Sequence, residues 1–446
     1  MVPADLTDER RFTPKGRATR DRIVMAAANL ILSDGLSALN MESVRAAAAV
    51  SGSQLAHYFA DKQALIRAVI VHQTHVVLDF HREPKLHGLE SFDDFEDWID
   101  LNMRYLRRIG YAATPTYHAL AGQLAKSDDV TRETLGAGYW DWVALLEKAI
   151  QGMRHRGLLV SHTDPRHLAL VIVSAHQGGG TMAFTYRAEW PHADAVRFAV
   201  NYLRTFASDP AERAAHRARR TRGPRSLLTE PESDGGRFTQ KGLATRAHIV
   251  DVAAKLMFER GVAGTSIDEL RAAASVSGSQ IAHYFQDKRD LTRQVITARR
   301  NEVVSFHGQR QFGAFDSLEA LEAWAKTCSA HAKAVYRRGG CVYGSLAGEL
   351  LEADDGVLDD LAFGYDQWIG LFQSGLTAMR RRGELRADAE PRHLAVALVA
   401  AHQGGALVTY ATGSAEPLQA AVDGAVDYVR SFAPQRPRRR RKTTSN

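Results

Sequence analysis

Apolar positions fall at helical spacing almost throughout this chain. In Ile23-Val24-Met25-Ala26-Ala27-Ala28-Asn29-Leu30-Ile31-Leu32 they recur three and four apart, and Gly35 follows as a stop. No alternating run of strand length stands out. Asn40 and Ser266 fit the N-caps of short second helices. Val50-Ser51 and Val276-Ser277 predict turns into third helices starting near Gly52 and Gly278. Asp61 and Asp287 sit where fourth helices begin. Asp164-Pro165 and Glu390-Pro391 place a proline just inside long apolar helices. Last helices are predicted over about 192–206 and 418–432.

These signals come in pairs because the chain contains itself twice. Val50-Ser51-Gly52-Ser53-Gln54-Leu55-Ala56-His57-Tyr58-Phe59-Ala60-Asp61-Lys62 returns as residues Val276 to Lys288, with eleven of thirteen positions identical at an offset of 226. The same offset relates Arg11-Phe12-Thr13 to Arg237-Phe238-Thr239, Ala18-Thr19-Arg20 to Ala244-Thr245-Arg246, and His176-Gln177-Gly178-Gly179 to His402-Gln403-Gly404-Gly405. No insertion or deletion interrupts the register from Arg11 to Phe432. The unit is a domain-sized duplication, far longer than a solenoid repeat.

A chain of 446 residues, 45% hydrophobic, fits two globular units rather than one core. Net charge is +6, which permits a nucleic-acid partner without requiring one. Cys328 and Cys341 have no counterparts in the first copy and no CxxC or metal-ligand spacing, so they read as two reduced thiols. Met1 to Asp5 lacks the pattern of a signal peptide, and no run approaches the roughly 20 apolar residues of a membrane span. A soluble cytoplasmic protein with no membrane partner is expected.

Two short helices joined by a tight turn, the second opening on small polar residues, form a helix-turn-helix. Such a second helix enters the major groove with its N-terminal residues against base edges. Gly52 and Ser53 permit close approach. The Gln54 amide suits bidentate pairing with adenine. His57 and Tyr58 suit phosphates or bases, and Lys62 suits a phosphate. With Ser51, and with Ser277, Gly278, Ser279, Gln280, His283, Tyr284 and Lys288 of the second copy, these are the candidate DNA-binding residues. Core packing explains Val50, Leu55, Ala56 and Phe59. It does not explain an exposed Ser-x-Gln-x-x-His-Tyr set repeated almost unchanged.

Phe-x-x-Lys-Gly, a helix, and then Val-Ser-Gly-Ser-Gln-x-x-His-Tyr-Phe-x-Asp-Lys resembles the N-terminal domain of TetR/AcrR-family transcriptional regulators, in both copies. Gly340 to Leu350 is similar to the regulatory domain of the LmrA/YxaF-like branch. The chain departs from the family at Arg45 and Arg271, where a small residue is usual. It departs again at Ala49 and Ser275, where the turn usually has glycine, a substitution costing on the order of 1 kcal/mol in a left-handed conformation. The resemblance implies an all-α fold of two tandem units, each a three-helix DNA-binding domain plus a helical ligand-binding and dimerisation domain. The expected division is 11–70 and 71–207, a linker 208–236, then 237–296 and 297–433, with a basic tail 434–446. Pro210 to His216 reads as an extension of the preceding helix.

The resemblance also implies a four-helix dimerisation bundle from helices about 164–187, 192–206, 390–411 and 418–432. The two copies are expected to form an intramolecular pseudo-dimer on a double-stranded DNA operator, with dimers of whole chains as the competing assembly. The 29-residue linker reaches roughly 100 Å if extended, so reach permits this. Glycines beside His176, Gln177, His402 and Gln403 fit close helix packing, and those four polar residues fit either packing or a ligand. The middle helices differ more between the copies; the first has Trp98, Tyr105, Tyr111, Tyr117, His118, Tyr139, Trp140 and Trp142, the second Trp324, Tyr336, Tyr343, Tyr365 and Trp368. Aromatics at this spacing serve a core or a pocket. Trp98, Tyr117, Gln123, Trp142, Trp324, Tyr343, Glu349 and Trp368 are the remaining candidates for a small-molecule effector, of unknown identity. No cofactor or metal is expected, and neither GxSxG, HExxH nor a P-loop is present, so an enzyme is not expected. The alternative is an interaction protein on the same fold that has lost DNA binding.

Overall fold

A computed structural model describes residues 12–110, 117–215 and 238–434. The N-terminal arm, most of the linker, Tyr111 and the basic tail lie outside the described residues, as does the side chain of His118.

Half one contains α1 (Pro14–Asp34), α2 (Met41–Ala47), α3 (Gly52–Tyr58), α4 (Lys62–His81), α5 (Phe92–Ile109), α6 (Tyr117–Leu124), α7 (Asp129–His155), α8 (Pro165–Tyr186), α9 (Trp190–Arg204) and α10 (Pro210–Ala215). Half two contains α11 (Gln240–Arg260), α12 (Ile267–Ala274), α13 (Gly278–Tyr284), α14 (Lys288–His307), α15 (Leu318–His331), α16 (Gly344–Glu349), α17 (Asp355–Arg381), α18 (Pro391–Thr412) and α19 (Glu416–Arg430). The fold is all-α. Among the described residues the sole β feature is an isolated bridge between Leu159 and Ala207.

Local chemistry explains the starts and stops. Asn40, Ser51, Asp61, Ser266, Ser277 and Asp287 each cap a helix through a side-chain oxygen, satisfying backbone N–H groups that the first turn leaves unpaired. Gly35 and Gly261 end α1 and α11 at φ +84° and +79°, a region costly for other residues. The chain after α9 does not prolong that helix: it bends through Ala207, and α10 starts afresh at Pro210. In each half one unbroken helix, α4 or α14, passes through the boundary expected at residue 70 or 296.

α8 and α9 pack on α18 and α19 as a four-helix bundle joining the halves. Gly178 of α8 lies directly on Gly404 of α18: a Cβ on either would strike the other helix's backbone, at Ala400 O or Ser174 O. Gly122 and Gly348 meet in the same way where α6 crosses α16. In both crossings a residue touches its own counterpart 226 positions away, which is the mark of a two-fold axis. The neighbouring glycines do a different job. Gly179 and Gly405 admit Ala195 and Ala421 of the helix next in sequence, packing each half on itself. By length and composition α18 would cross a membrane, yet its apolar window is entirely buried in this bundle.

The frame is symmetric, but the contacts off the axis are not. Arg166 forms a two-pronged ion pair with Glu416 at 2.6 and 2.8 Å. At the equivalent place Arg392 lies over the Trp190 ring, 4.8 Å from its centre. Near the α6–α16 crossing, the Lys126 ammonium is 2.9 Å from the Glu349 carboxylate, both side chains buried. Lys126 also donates to Ser345 Oγ at 3.1 Å, and Glu349 accepts from the Val262 N–H at 2.5 Å. Burial lowers the Lys126 pKa and raises that of Glu349, so each charge depends on the other. Their counterparts are Glu352 and Gln123. Gln123 donates to Glu352 at 3.2 Å, and Glu352 accepts from the Leu36 N–H at 2.7 Å. The loop after the first helix of each half is therefore held by a carboxylate, and half two supplies both.

Gly404→Ala is expected to lower unfolding free energy by on the order of 3 kcal/mol, since backbone blocks the added methyl. Gly370→Ala, in α17 with open space around it, should raise it by roughly 1 kcal/mol. Urea unfolding measures both, and equal effects would refute the crossing as a packing constraint. Lys126→Met should cost about 3–5 kcal/mol by stranding the buried carboxylate, and adding Glu349→Met should recover most of that loss.

Candidate nucleic-acid interface and adjoining cavity

Each half presents the same short helix in the same setting. α2 ends at Ala48, and Ala49 turns left-handed at φ +50°; α12 leads to Ser275 at φ +54°. Backbone bonds enforce the turn despite the missing glycine, with Val50 N–H on Arg45 O and Val276 N–H on Arg271 O, both near 3.2 Å. Arg22 adds a bond to Ala48 O at 3.0 Å, and His248 contacts Ala274 O at 3.2 Å. Arg45, one of the two unusual arginines, pairs with Glu42, and Arg271 pairs with Asp268 at 3.5 Å.

α3 and α13 expose Ser51, Gly52, Ser53, Gln54 and His57, and Ser277, Gly278, Ser279, Gln280 and His283. Only Leu55 of α3 and Ile281 of α13 are buried, anchoring the opposite face. A Cβ on Gly52 or Gly278 would meet nothing within 4 Å, so both surfaces are open. Tyr58 is half-buried and packs on Phe12 at 5.2 Å; Tyr284 packs on Phe238 at 5.3 Å.

The fold constrains two kinds of candidate reading residue. Gln54 Oε1 accepts the Ser51 N–H at 2.9 Å while Ser51 Oγ accepts the Gln54 N–H at 3.1 Å, a reciprocal capping box. Gln280 and Ser277 repeat it at 2.8 and 3.1 Å. The amide oxygen is thus committed within the helix. Each glutamine offers its NH2, and bidentate pairing would have to break the box. The two lysines also differ. Lys288 donates to Val262 O at 2.7 Å, and burial lowers its pKa, whereas Lys62 has no such bond.

A second feature adjoins the bundle in half one. Residues of α4 to α9 line a partly open cavity of about 70 Å³. It gathers Tyr117, Trp142 and His176 of the expected effector residues and adds Gln73, Asn102 and His192. The other candidates lie elsewhere. Gln123 and Glu349 belong to the junction between halves described above. Gln177 accepts from Tyr139 OH at 2.6 Å, and Gln403 donates to Gly344 O at 3.1 Å. Tyr343 donates to Leu361 O at 2.6 Å, made possible because Gly364 leaves room for its ring.

The tryptophans serve an unexpected hub. Trp98 and Trp142 both donate their indole N–H to His81 Nε2, at 3.0 and 3.1 Å, while His81 Nδ1 donates to Val77 O at 2.7 Å. Trp324 and Trp368 converge on His307 in the same way, at 3.2 and 3.0 Å. Nε2 accepts two donors, so each imidazole is neutral, and burial lowers both pKa values to about 4. His402 meets Tyr336 OH at 2.9 Å and is pushed down to about 3. Neither hub histidine was among the expected site residues, although Phe80-His81 recurs as Phe306-His307 at the repeat offset.

A turn-linked pair of short helices with an open, polar second helix defines a helix-turn-helix DNA-binding protein, here with two such units. Known proteins place it more closely. "Bacterial regulatory proteins, tetR family" matches residues 23–69 and again 249–295, and "Tetracyclin repressor-like, C-terminal domain" matches 317–425, without singling out the branch suggested by Gly340 to Leu350. The chain belongs to the TetR family of transcriptional regulators, as a tandem of two units. It is 27% identical over 177 residues to the HTH-type transcriptional repressor DhaR of Mycobacterium sp. (strain GP1), covering 39% of this chain and 86% of the relative. It is 41% identical over 56 residues to the HTH-type transcriptional regulator AcrR of Shigella flexneri, 13% of this chain and 26% of that protein. The crystal structure of regulatory protein TetR from Rhodobacter sphaeroides aligns at 22% identity and TM-score 0.38, covering 41% of this chain and 98% of that one.

The depressed histidine pKa values carry a sign. In the unfolded chain histidine binds a proton near pH 6.5, in the fold only near pH 4, so between these values the unfolded state binds more protons. Stability is fully present above pH 6.5 and falls as pH drops towards 4, by on the order of 3 kcal/mol per histidine. Urea titrations at stepped pH should show this slope, reduced in His307→Gln; an unchanged slope would remove His307 as its source.

Proposed function

We propose that the chain is a repressor that binds a near-palindromic operator with both of its own reading helices, as one intramolecular pseudo-dimer. The carrying observation is the repetition of one open polar helix face, α3 and α13, on halves related by an internal two-fold axis. A two-fold protein matches a palindromic site with half-sites about one DNA turn, roughly 34 Å, apart. Leu55 and Ile281 are buried and leave the reading face the same in both halves. The named function of DhaR, a transcriptional repressor, supports repression.

The half-one cavity is the effector site in this reading. α4 carries Leu65, Ile66 and Val69 in the DNA-binding domain and lends Gln73, Val76 and Val77 to the cavity wall. A ligand too bulky for the inner cavity that seats on Gln73, Val76 and Val77 presses on α4 and, with it, the reading head. Such a ligand prefers the displaced state, and it weakens DNA binding by that difference in affinity.

Sequence selection from random duplexes by the purified full chain, followed by native mass measurement of the complex, tests the assembly. One chain on a two-half-site palindrome is expected; two chains on a longer site would replace the pseudo-dimer with a four-headed dimer. Gln54→Glu with Gln280→Glu keeps the capping box but replaces the amide donor with a negative charge. Selected-site binding should fall by at least about tenfold at unchanged thermal stability. Unchanged affinity would favour an interaction protein without base reading.

A further inference from the structure

The two halves differ at one place where the fold demands no difference. In half one the Gln73 side chain lines the cavity, is 8% exposed, and makes no hydrogen bond among the described residues. Its amide faces the cavity, where a guest's polar group can pair with it. Among the described residues the wall carries no acidic, lysine or arginine side chain. His81, also in the wall, is neutral and has both ring nitrogens engaged. The wall includes Val76, which is 39% exposed and marks the mouth.

Half two fills the corresponding positions. Arg299 replaces Gln73, and its guanidinium is committed to Glu302 at 2.6 Å and Ala254 O at 2.5 Å. Cys328 replaces Asn102, and Leu418 replaces His192. α5 continues as a regular helix to Ile109, followed by Gly110. The matching stretch after α15, Ala332–Tyr336, is instead a π turn, a local widening that shifts the register of the side chains. Tyr336, at the position of Gly110, is 8% exposed. Its hydroxyl takes His402 Nε2 at 2.9 Å, the nitrogen whose counterpart in His176 takes Asn102 Oδ1 at 3.0 Å.

We propose that half one alone takes the effector, a neutral and mainly apolar small molecule whose one hydrogen-bonding group meets the Gln73 carboxamide, and that Tyr336 closes the corresponding site of half two. This rests on the effector reading of the cavity. A charged ligand is disfavoured, since the described wall residues offer a cation no carboxylate and an anion no lysine or arginine, and an unpaired buried charge is costly. Each chain then binds one effector molecule while carrying two reading heads.

The probe is 4-fluorophenol, titrated into the full chain and followed by fluorine NMR. One bound equivalent per chain is expected. Gln73→Leu should weaken it by about tenfold, the loss of one hydrogen bond in a buried site. 4-Fluorobenzoate should fail to displace it. Tyr336→Gly should admit a second, weaker equivalent that Gln73→Leu leaves unchanged, since half two carries Arg299 in place of Gln73; no second equivalent would refute Tyr336 as the closing group. Should that variant not fold, Val76→Trp at the half-exposed mouth should remove the single equivalent. Two equivalents in the natural chain, displacement by the benzoate, no binding at all, or indifference to Gln73→Leu or Val76→Trp would each overturn the proposal. Operator affinity of the ligand-free chain, read by fluorescence anisotropy, separates the two ideas: a chain that selects its operator but ignores the probe keeps its two-headed reading and loses this site.

Discussion

The contact of Gly178 with Gly404, backbone on backbone, sets the relation between the halves, and everything distal to it follows. A glycine in mid-helix costs roughly 1 kcal/mol relative to alanine, and the return is an approach that no side chain permits. Because each glycine meets its own counterpart, the crossing is compatible only with a two-fold arrangement. Gly122 on Gly348 repeats the condition nearer the DNA-binding domains. Two points on one axis fix its direction. From there, the carboxylates of Glu349 and Glu352 grip the loops at Val262 and Leu36, so both DNA-binding domains take their positions from the same junction.

A tandem chain has a freedom that a homodimer lacks. In a homodimer any change near the axis appears on both sides at once. Here each side has changed by itself, so Lys126 faces Glu349 while the equivalent place holds Glu352 and Gln123. Pairing half two with half two would bring Glu349 and Glu352 together twice, with no lysine. Like charges in a buried setting oppose that assembly. The junction thereby favours half one against half two, and a covalent link between them makes that pairing intramolecular.

Sequence made the periodic and local features legible. Caps at Asn40, Ser51 and Asp61, stops at Gly35 and Gly261, and the duplication itself are written in residue type and spacing, and the helices start and end where those signals stand. The glycine pairs were legible as close packing, but not their division of labour, because only the crossing shows that Gly178 serves the other half and Gly179 its own. His81 and His307 escaped notice since a lone histidine on an apolar face carries no periodic signal, and its meaning depends on two tryptophans 17 and 61 residues away. The same limit applies to Gln54. Its exposed position suggested base reading, while Ser51 three residues earlier spelled a capping box that competes for the same oxygen.

The hub histidines also explain why the large aromatics make poor ligand contacts. An indole N–H must be paired when buried, and His81 accepts two at once, so Trp98 and Trp142 have no donor left for a guest. For the proposed recognition there remains the polar edge between α4 and α5, where the Gln73 amide has no partner among the described residues. That edge belongs to the helix that begins at Lys62, directly after the reading helix. The hub ties the far end of α4 at His81 to α5 and α7, whereas its near end adjoins the DNA-binding domain. A guest of the proposed site would therefore push towards that domain, where the Glu352 contact to Leu36 is half-buried. In the proposed reading, an effector entering half one would act on the head whose attachment to the junction is the softer of the two.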